Sequence, residues 1–265
     1  MALLTSDTLA ADLQALGVVP GDGLFVHASM RALGPVAGGA AAVIEAMQAA
    51  AGPEGLLAMP GFSTDAYFPA DLDRDSLPEA AVAEAERAVP GHDPERSPTA
   101  GMGVIAETFR TWPGTLRSSH PAVSVCLNGA DAAEHLEPHR LAWALGEGTP
   151  MGRLRHRRQM KILLVGVGWN RCSALHTAES LAEVKRTKIR RFKTGSGDAP
   201  WMETPDAADD LNRLFPLVGA AFEGAGAVAT GRLGAAECRL CSYSALVAFA
   251  AGWISEANRQ SGDRH

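Results

Sequence analysis

The sequence has few of the features that mark secreted, membrane and nucleic-acid-binding proteins. Its 265 residues include four cysteines, too few and too scattered for a disulfide framework in a chain of this length. No apolar run is long enough to span a bilayer, and the first residues lack the basic and apolar regions of a signal peptide. The net charge of −6 argues against a dedicated nucleic-acid surface. We therefore expect a cytoplasmic protein without membrane or nucleic-acid partners.

Motifs for nucleotides and metals are missing as well. The G-V-G run at residues 166–168 lacks a third glycine at dinucleotide-binding spacing, and no triphosphate-binding loop occurs, so NAD and ATP are unsupported. The C-R-L-C run at 238–241 has no second Cys or His pair at zinc spacing. The acidic run at 71–75 begins like a calcium loop, but the required glycine and the later glutamate are out of register. We expect no bound metal.

What the sequence does contain is an alternation of helix and strand patterns. Apolar spacing predicts helices at 6–16 and 39–51, and short apolar runs between turn residues predict strands at 24–26 and 56–60. This order is a βαβ unit, which predicts an α/β fold with a parallel or mixed sheet covered by helices. Residues 61–98, interrupted by five prolines, are expected to form a long loop with one short helix. Further helices are expected at 99–112, 130–136, 174–186, 206–223 and from 244, and further strands at 122–127, 162–167, 188–192 and twice between 227 and 241.

The first histidine of interest ends a predicted strand. His27 follows the apolar run 24–26, and in open α/β sheets ligands bind at the carboxyl ends of the strands. Two interpretations are open at this point. His27 either faces a functional site or is a core histidine bonded to a neighbouring carbonyl.

The second histidine shares a predicted helix with two carboxylates. His176, Glu179 and Glu183 are spaced i, i+3 and i+7, which places them along one helical face. A carboxylate that accepts a hydrogen bond from one ring nitrogen raises the basicity of the other, as a general base requires. An amphipathic helix with solvated acids explains the pattern equally well. A metal site is a weaker option, and Cys172 as a nucleophile comes third.

Five segments carry a family resemblance when they are taken together and in order. They are V-H-A-S-M-R-A-L-G (26–34), A-M-P-G-F-S (58–63), R-S-S-H-P-A-V-S-V (117–125), L-G-E-G-T-P-M-G-R-L (145–154) and L-L-V-G-V-G-W-N-R-C-S-A-L-H-T-A-E (163–179). They resemble the aminoglycoside 3-N-acetyltransferase family from about residue 5 to residue 255. The resemblance implies one domain over residues 1–265, with a central mixed sheet flanked by helices in a fold distinct from the common small N-acetyltransferases.

The resemblance also implies an activity and a site. Members transfer the acetyl group of acetyl-CoA to the 3-amino group of an aminoglycoside, which confers antibiotic resistance. By analogy the catalytic residues are His176 as base, Glu179, His27 and Thr149, the last a donor to the oxyanion. The residues expected to contact coenzyme A are His27, Ala28, Ser29, Met30, Arg31, Ala32, Leu33, Gly34, Ser119, His120 and Thr149. The chain departs from the family at Ala28 and Thr149, where Ser is frequent, and at 171–172, where Asn-Thr or Asn-Ser is frequent.

The two substrates need groups of opposite charge. Carboxylates are expected to hold the polycationic acceptor, and the candidates are Asp65, Glu183, Glu203, Asp209 and Asp210. Arg31 and the basic run 153–158 are candidates for the coenzyme A phosphates. The alternatives are a relative that acylates a different amine, such as a biosynthetic intermediate, and a binding protein without catalysis. Either a monomer or a homodimer is compatible with the sequence.

Overall fold

The computed structural model describes residues 3–208 and 213–262. The strands of the chain's main sheet are β1 (Gly23–Ala28), β2 (Leu56–Pro60), β3 (Leu116–Arg117), β4 (Val125–Gly129), β5 (Met160–Val165), β8 (Val228–Leu233) and β9 (Ala236–Ser242), while β6 (Thr187–Lys193) and β7 (Trp201–Ala207) form a separate hairpin. The helices are α1 (Ser6–Leu16), α2 (Met30–Leu33), α3 (Gly39–Ala51), α4 (Glu79–Ala88), α5 (Val104–Arg110), α6 (Ala132–Leu136), α7 (Pro150–Leu154), α8 (Ala174–Leu181), α9 (Phe215–Gly224) and α10 (Tyr243–Ser261).

The main sheet is mixed, as the sequence predicts. Its strand order is β3-β4-β2-β1-β5-β9-β8. The central strand β1 pairs in parallel with both β2 and β5, and antiparallel strands complete each side. The carboxyl ends of β1, β2 and β5 therefore meet at one edge of the sheet, where α/β proteins bind ligands.

Helices cover both faces of this sheet. One apolar core lies between the sheet and α1, α3 and α5, and the other between the sheet and α8, α9 and α10. Successive residues of β1 alternate between the two cores, with Phe25 in the second and Leu24 and Val26 in the first. This alternation puts His27 on the same side of the sheet as Phe25, toward α8. None of the described helices is long and apolar enough to cross a membrane.

The segment 61–98 is fixed against the β6–β7 hairpin. It contains one short α-helix, α4, as the sequence predicts. The buried ammonium of Lys193 on β6 donates to the carbonyl of Val89 at 2.8 Å, where α4 ends. Arg190 donates to the Tyr67 hydroxyl at 2.6 Å. Specific polar contacts thus hold the segment 61–98 against the hairpin.

Several predicted element boundaries are wrong. The predicted helix 206–223 is β7 followed by α9, because residues 201–207 pair one for one with β6 and Asp206 binds Arg190 at 2.8 Å. The helix predicted at 99–112 spans only 104–110, and the strand predicted at 122–127 spans 125–129.

The helix that carries His176 is also shorter than the periodicity indicates. It ends at Leu181 rather than near residue 186, and Ala182 takes an extended ψ of 138°. Beyond it, side chains of α10 replace the helical partners of the backbone. Ser255 accepts from the Glu183 N–H at 2.9 Å, and Asn258 donates to the Val184 carbonyl at 2.9 Å. Glu183 therefore lies off the helical face that it was expected to share.

Candidate active site

A cavity of 620 Å³ opens at the carboxyl ends of β1, β2 and β5. Its lining comes from the ends of these strands and the turns after them, from residues 101–106, and from the stretch that leads into α8. The lining residues are Val26–Arg31, Met59, Pro60, Phe62, Gly101–Ala106, Gly166, Val167, Asn170–Ser173, His176 and Phe215. Both histidines singled out in the sequence line this one cavity.

His176 forms the ion-pair geometry that its spacing predicts. Its Nδ1 lies 2.8 Å from Glu179 Oε2, one helical turn further along α8. Both side chains are largely removed from water, with 16% of His176 and 7% of Glu179 exposed. The imidazole and the Phe215 ring pack in a T-shaped arrangement at a ring-centroid distance of 4.8 Å. Because the carboxylate accepts from Nδ1–H, the Nε2 lone pair is left for chemistry in the cavity.

His27 has a different environment. Its Nε2 accepts a hydrogen bond from the backbone N–H of Ser173 at 3.2 Å, which ties the end of β1 to the N-terminus of α8. Burial, together with the nearby His176, lowers the pKa of His27 to about 3. His27 is therefore neutral at physiological pH and is too weak a base to take a proton from an ammonium group.

Cys172 is unsuited to be the nucleophile. The side chain is fully buried, and this burial raises the pKa of the thiol to about 12. A thiol with so little thiolate at neutral pH does not attack a thioester readily. Among the described residues, no group of three His, Cys, Asp or Glu could hold a metal ion.

Part of the predicted coenzyme A loop lines the cavity and part does not. His27, Ala28, Ser29, Met30 and Arg31 line it. Three further predicted contacts are absent from the lining: Ala32, Leu33 and Gly34. Leu33 is buried in the core, and Ala32 packs so closely on Gly166 that a Cβ at that glycine would collide with it.

Three other predicted contacts lie away from the cavity. The Thr149 hydroxyl caps α7: it donates to the Gly146 carbonyl at 2.7 Å and accepts from the Gly152 N–H. The backbone N–H of Ser119 donates to Glu137 at 2.8 Å. His120 is buried, and its Nδ1 accepts from two backbone N–H groups. The Thr149 hydroxyl and the His120 imidazole therefore have structural roles, because each accepts hydrogen bonds from nearby backbone N–H groups.

The basic run 153–158 is not brought to the cavity either. Arg153 donates to the carbonyls of His135 and Gly148, Arg155 pairs with Glu147, and Arg157 pairs with Asp131. By contrast Arg31 and Arg171 are both exposed at the cavity. In the sequence, Arg171 stands out only as a departure from the family pattern. Its position after the G-V-G turn was the one feature that could have indicated a place at the cavity.

The predicted acceptor carboxylates are scattered. Asp65 lines a separate cavity of 870 Å³ between the 61–98 segment and Arg190. Glu183 is 82% exposed and pairs with Arg259 at 2.7 Å, and Glu203 on β7 pairs with Arg191 at 3.5 Å. Asp209 and Asp210 lie outside the described residues. The structure does not bring Asp65, Glu183 or Glu203 into the lining of the cavity that holds His176.

Comparison with known proteins settles the family. The model of the family described as aminoglycoside 3-N-acetyltransferase matches residues 25–255. The chain belongs to the aminoglycoside 3-N-acetyltransferase family. It is 33% identical over 252 residues to the SPbeta prophage-derived aminoglycoside N(3')-acetyltransferase-like protein YokD of Bacillus subtilis, covering 94% of this chain and 92% of that protein. The crystal structure of YokD superposes with a TM-score of 0.90 at 32% identity, over 100% of this chain and 97% of YokD.

Two further solved members of the family contain ligands. AAC-IIIb, in a binary complex with CoASH, has a TM-score of 0.84 and 30% identity over 97% of this chain and 98% of its own. Sisomicin-bound AAC-VIa has a TM-score of 0.85 and 30% identity over 97% and 99%. Family membership confirms the expected enzyme class, an acetyl-CoA-dependent aminoglycoside N-acetyltransferase.

Proposed function

We propose that this enzyme transfers the acetyl group of acetyl-CoA to the 3-amino group of an aminoglycoside, with His176 as the general base. The observation that carries the proposal is the 2.8 Å contact between His176 and Glu179 in the cavity at the sheet edge. The family match supports the reaction type. The position of the acetylated amine rests on the family resemblance.

The chemistry begins with a protonated acceptor. An alkyl ammonium is mostly charged at neutral pH and has no lone pair, so a base must remove a proton before attack. His176 Nε2 takes that proton, and Glu179 stabilises the imidazolium that forms. The amine nitrogen then bonds to the thioester carbonyl carbon, and the negative charge moves to the carbonyl oxygen. When that intermediate collapses, the C–S bond breaks and the thiolate receives the proton that His176 took. His176 then takes the second proton from the nitrogen and releases it to solvent, which leaves the neutral amide.

Charge at the cavity fits the acyl donor. Arg31 and Arg171 are exposed there, and neither forms an ion pair with another described residue. Guanidinium groups suit the phosphates of coenzyme A, since they donate several hydrogen bonds in a fixed geometry. These two arginines therefore replace the run 153–158 as the proposed phosphate contacts.

The acceptor side needs carboxylates that the cavity does not supply, since none of its described lining residues is Asp or Glu. Asp209 and Asp210 lie outside the described residues and remain our proposed acceptor contacts on the strength of the sequence. A cavity whose described lining has no carboxylate also fits the second candidate, in which a different amine is acetylated.

Product analysis tests the proposal. Acetyl transfer is followed as thiol release with gentamicin, sisomicin and simple amines, and NMR of the product locates the acetyl group. We expect a single product acetylated at the 3-amino group. Acetylation at another nitrogen, or a mixture of positions, would contradict the proposed pose. Turnover of simple amines as fast as of aminoglycosides would favour the second candidate.

A further inference from the structure

The position of the proton on His27 follows from its hydrogen bond. A neutral imidazole has one donor and one acceptor nitrogen. Nε2 is the acceptor, since the Ser173 N–H donates to it at 3.2 Å. The ring is neutral, because burial lowers the pKa to about 3. The single ring proton is therefore on Nδ1, and the N–H of Ser173 fixes this tautomer.

This Nδ1–H group is open to the cavity. No described residue forms a hydrogen bond with Nδ1, and this atom is not fully buried. The side chain is 8% exposed, and its exposed part belongs to the cavity lining. Phe25 packs against the ring at a centroid distance of 5.3 Å, and the end of β1 holds the backbone. His27 thus presents a rigid neutral donor beside His176.

We propose that His27 donates a hydrogen bond from Nδ1 to the carbonyl oxygen of the acetyl thioester, where negative charge builds during attack. This role rests on the proposed acetyl transfer. The proton stays on His27 throughout, so the two protons that leave the amine pass only to His176, the departing thiolate and solvent. A donor fixed in a site shielded from water stabilises such an oxyanion without reorganising. The other expected oxyanion donor, Thr149, has its hydroxyl committed to Gly146.

The two amide residues separate this role from a structural one. Asn places its NH₂ near the position of Nδ1, whereas Gln reaches the position of Nε2 and accepts from the Ser173 N–H. If His27 is the oxyanion donor, His27→Ala lowers kcat by about 100-fold or more, and the KM for acetyl-CoA changes little. His27→Asn should recover at least a tenth of the lost rate, while His27→Gln should not. The pH dependence of kcat/KM should be the same in all three variants.

Three outcomes would overturn the proposal. Recovery by His27→Gln instead of His27→Asn would make His27 an anchor for the start of α8. A raised KM for acetyl-CoA with unchanged kcat would make it a contact for the pantetheine arm. A shift of the pH profile would mean that His27 itself titrates.

A measurement on the unaltered protein guards against variants that fail to fold. Nitrogen NMR of ¹⁵N-histidine-labelled enzyme distinguishes the Nδ1–H tautomer from the Nε2–H tautomer and from imidazolium. We expect Nδ1–H for His27 at pH 7, and either other form would exclude the donor role. This readout needs no acceptor, so it separates failure of the His27 assignment from failure of the acetyl transfer, which the wild-type thiol-release assay reports.

Discussion

His27 and His176 line the cavity at the sheet edge, whereas His120 and His139 lie buried between the start of β4 and the β6–β7 hairpin. In the buried pair, every ring nitrogen has a structural partner. His120 Nδ1 accepts the N–H groups of Ala122 and Val123, while His139 contacts Ser118 Oγ at 2.8 Å and the Ala144 carbonyl at 2.7 Å. In the cavity pair, one nitrogen of each ring has no described partner.

The comparison shows what separates a histidine that can contact a ligand from one with a purely structural role. Both His27 and His120 belong to segments that resemble the family, and both were expected at the site. The motif cannot distinguish them, because it records only residue type and order. The number of ring nitrogens left for a ligand does distinguish them, and that number depends on the tertiary structure.

The largest expected effect is that of His176→Ala. Loss of a general base should lower kcat by about 100-fold or more, with the melting temperature nearly unchanged. His156→Ala is the matched control, since His156 also pairs with a carboxylate, Glu147 at 3.1 Å, but lies exposed outside the cavity. Steady-state kinetics and a thermal melt give the result. Near wild-type turnover by His176→Ala would remove His176 from the base role.

Glu179→Gln should have the next largest effect. The amide cannot stabilise an imidazolium as a carboxylate does, so kcat should fall by about 10- to 100-fold, less than on loss of the base itself. Glu147→Gln serves as the control for a charge lost from an exposed imidazole pair. If Glu179→Gln lowers only the stability, the His176–Glu179 pair is structural. The contrast between the cavity histidines and the buried histidines would then be wrong.

Much of the fold was predictable because local signals agree with tertiary structure in the first half of the chain. Helix 6–16 has a Thr5 cap and a left-handed Gly17, and it forms where periodicity places it. Residues 201–207 show the opposite case. Their sequence W-M-E-T-P-D-A has weak strand character, and pairing with β6 determines the strand.

For the site, the spacing of His176 and Glu179 was sufficient to place them together, since three residues span less than one helical turn. Glu183 could not be placed, because the end of α8 depends on Ser255 and Asn258, far along the chain. For Arg171 the sequence offers only its position after the G-V-G turn, because its exposure at the cavity depends on how the turn after β5 packs. Long-range contacts decide such positions, and a single sequence does not display them.

Replacement of His120 should affect the core alone. His120→Phe fills the space but leaves the N–H groups of Ala122 and Val123 without an acceptor, at about 1–3 kcal/mol each. We expect a lower free energy of unfolding in urea and an unchanged KM for acetyl-CoA. His120→Asn, which can accept one of the two hydrogen bonds, should lose less. A raised KM at wild-type stability would restore His120 to the coenzyme A contacts.

The buried histidines should also make stability depend on pH. Burial lowers the pKa of His120 to about 3 and that of His139 to about 4, whereas unfolded histidines titrate near 6.5. Between these values the unfolded chain binds more protons, so the free energy of unfolding should fall as the pH falls from 6.5 toward 4. Urea titrations at steps of half a pH unit give the free energy of unfolding at each pH. This free energy should depend less steeply on pH for His139→Gln than for wild type. Equal slopes would mean that His139 is not held neutral.

The smallest expected effect is that of Arg171→Ala at the mouth of the cavity. An exposed arginine bound to a phosphate through solvent-screened contacts contributes about 1 kcal/mol, so the KM for acetyl-CoA should rise by about fivefold with kcat unchanged. Added salt should reduce the difference in this KM between the variant and wild type, because salt screens exposed charges. Arg158→Ala is the control, since Arg158 is exposed in the basic run outside the cavity. If Arg158→Ala raised KM and Arg171→Ala did not, the phosphates would lie along that run, as the sequence first indicated, and the cavity would hold only the acetylated end of the donor.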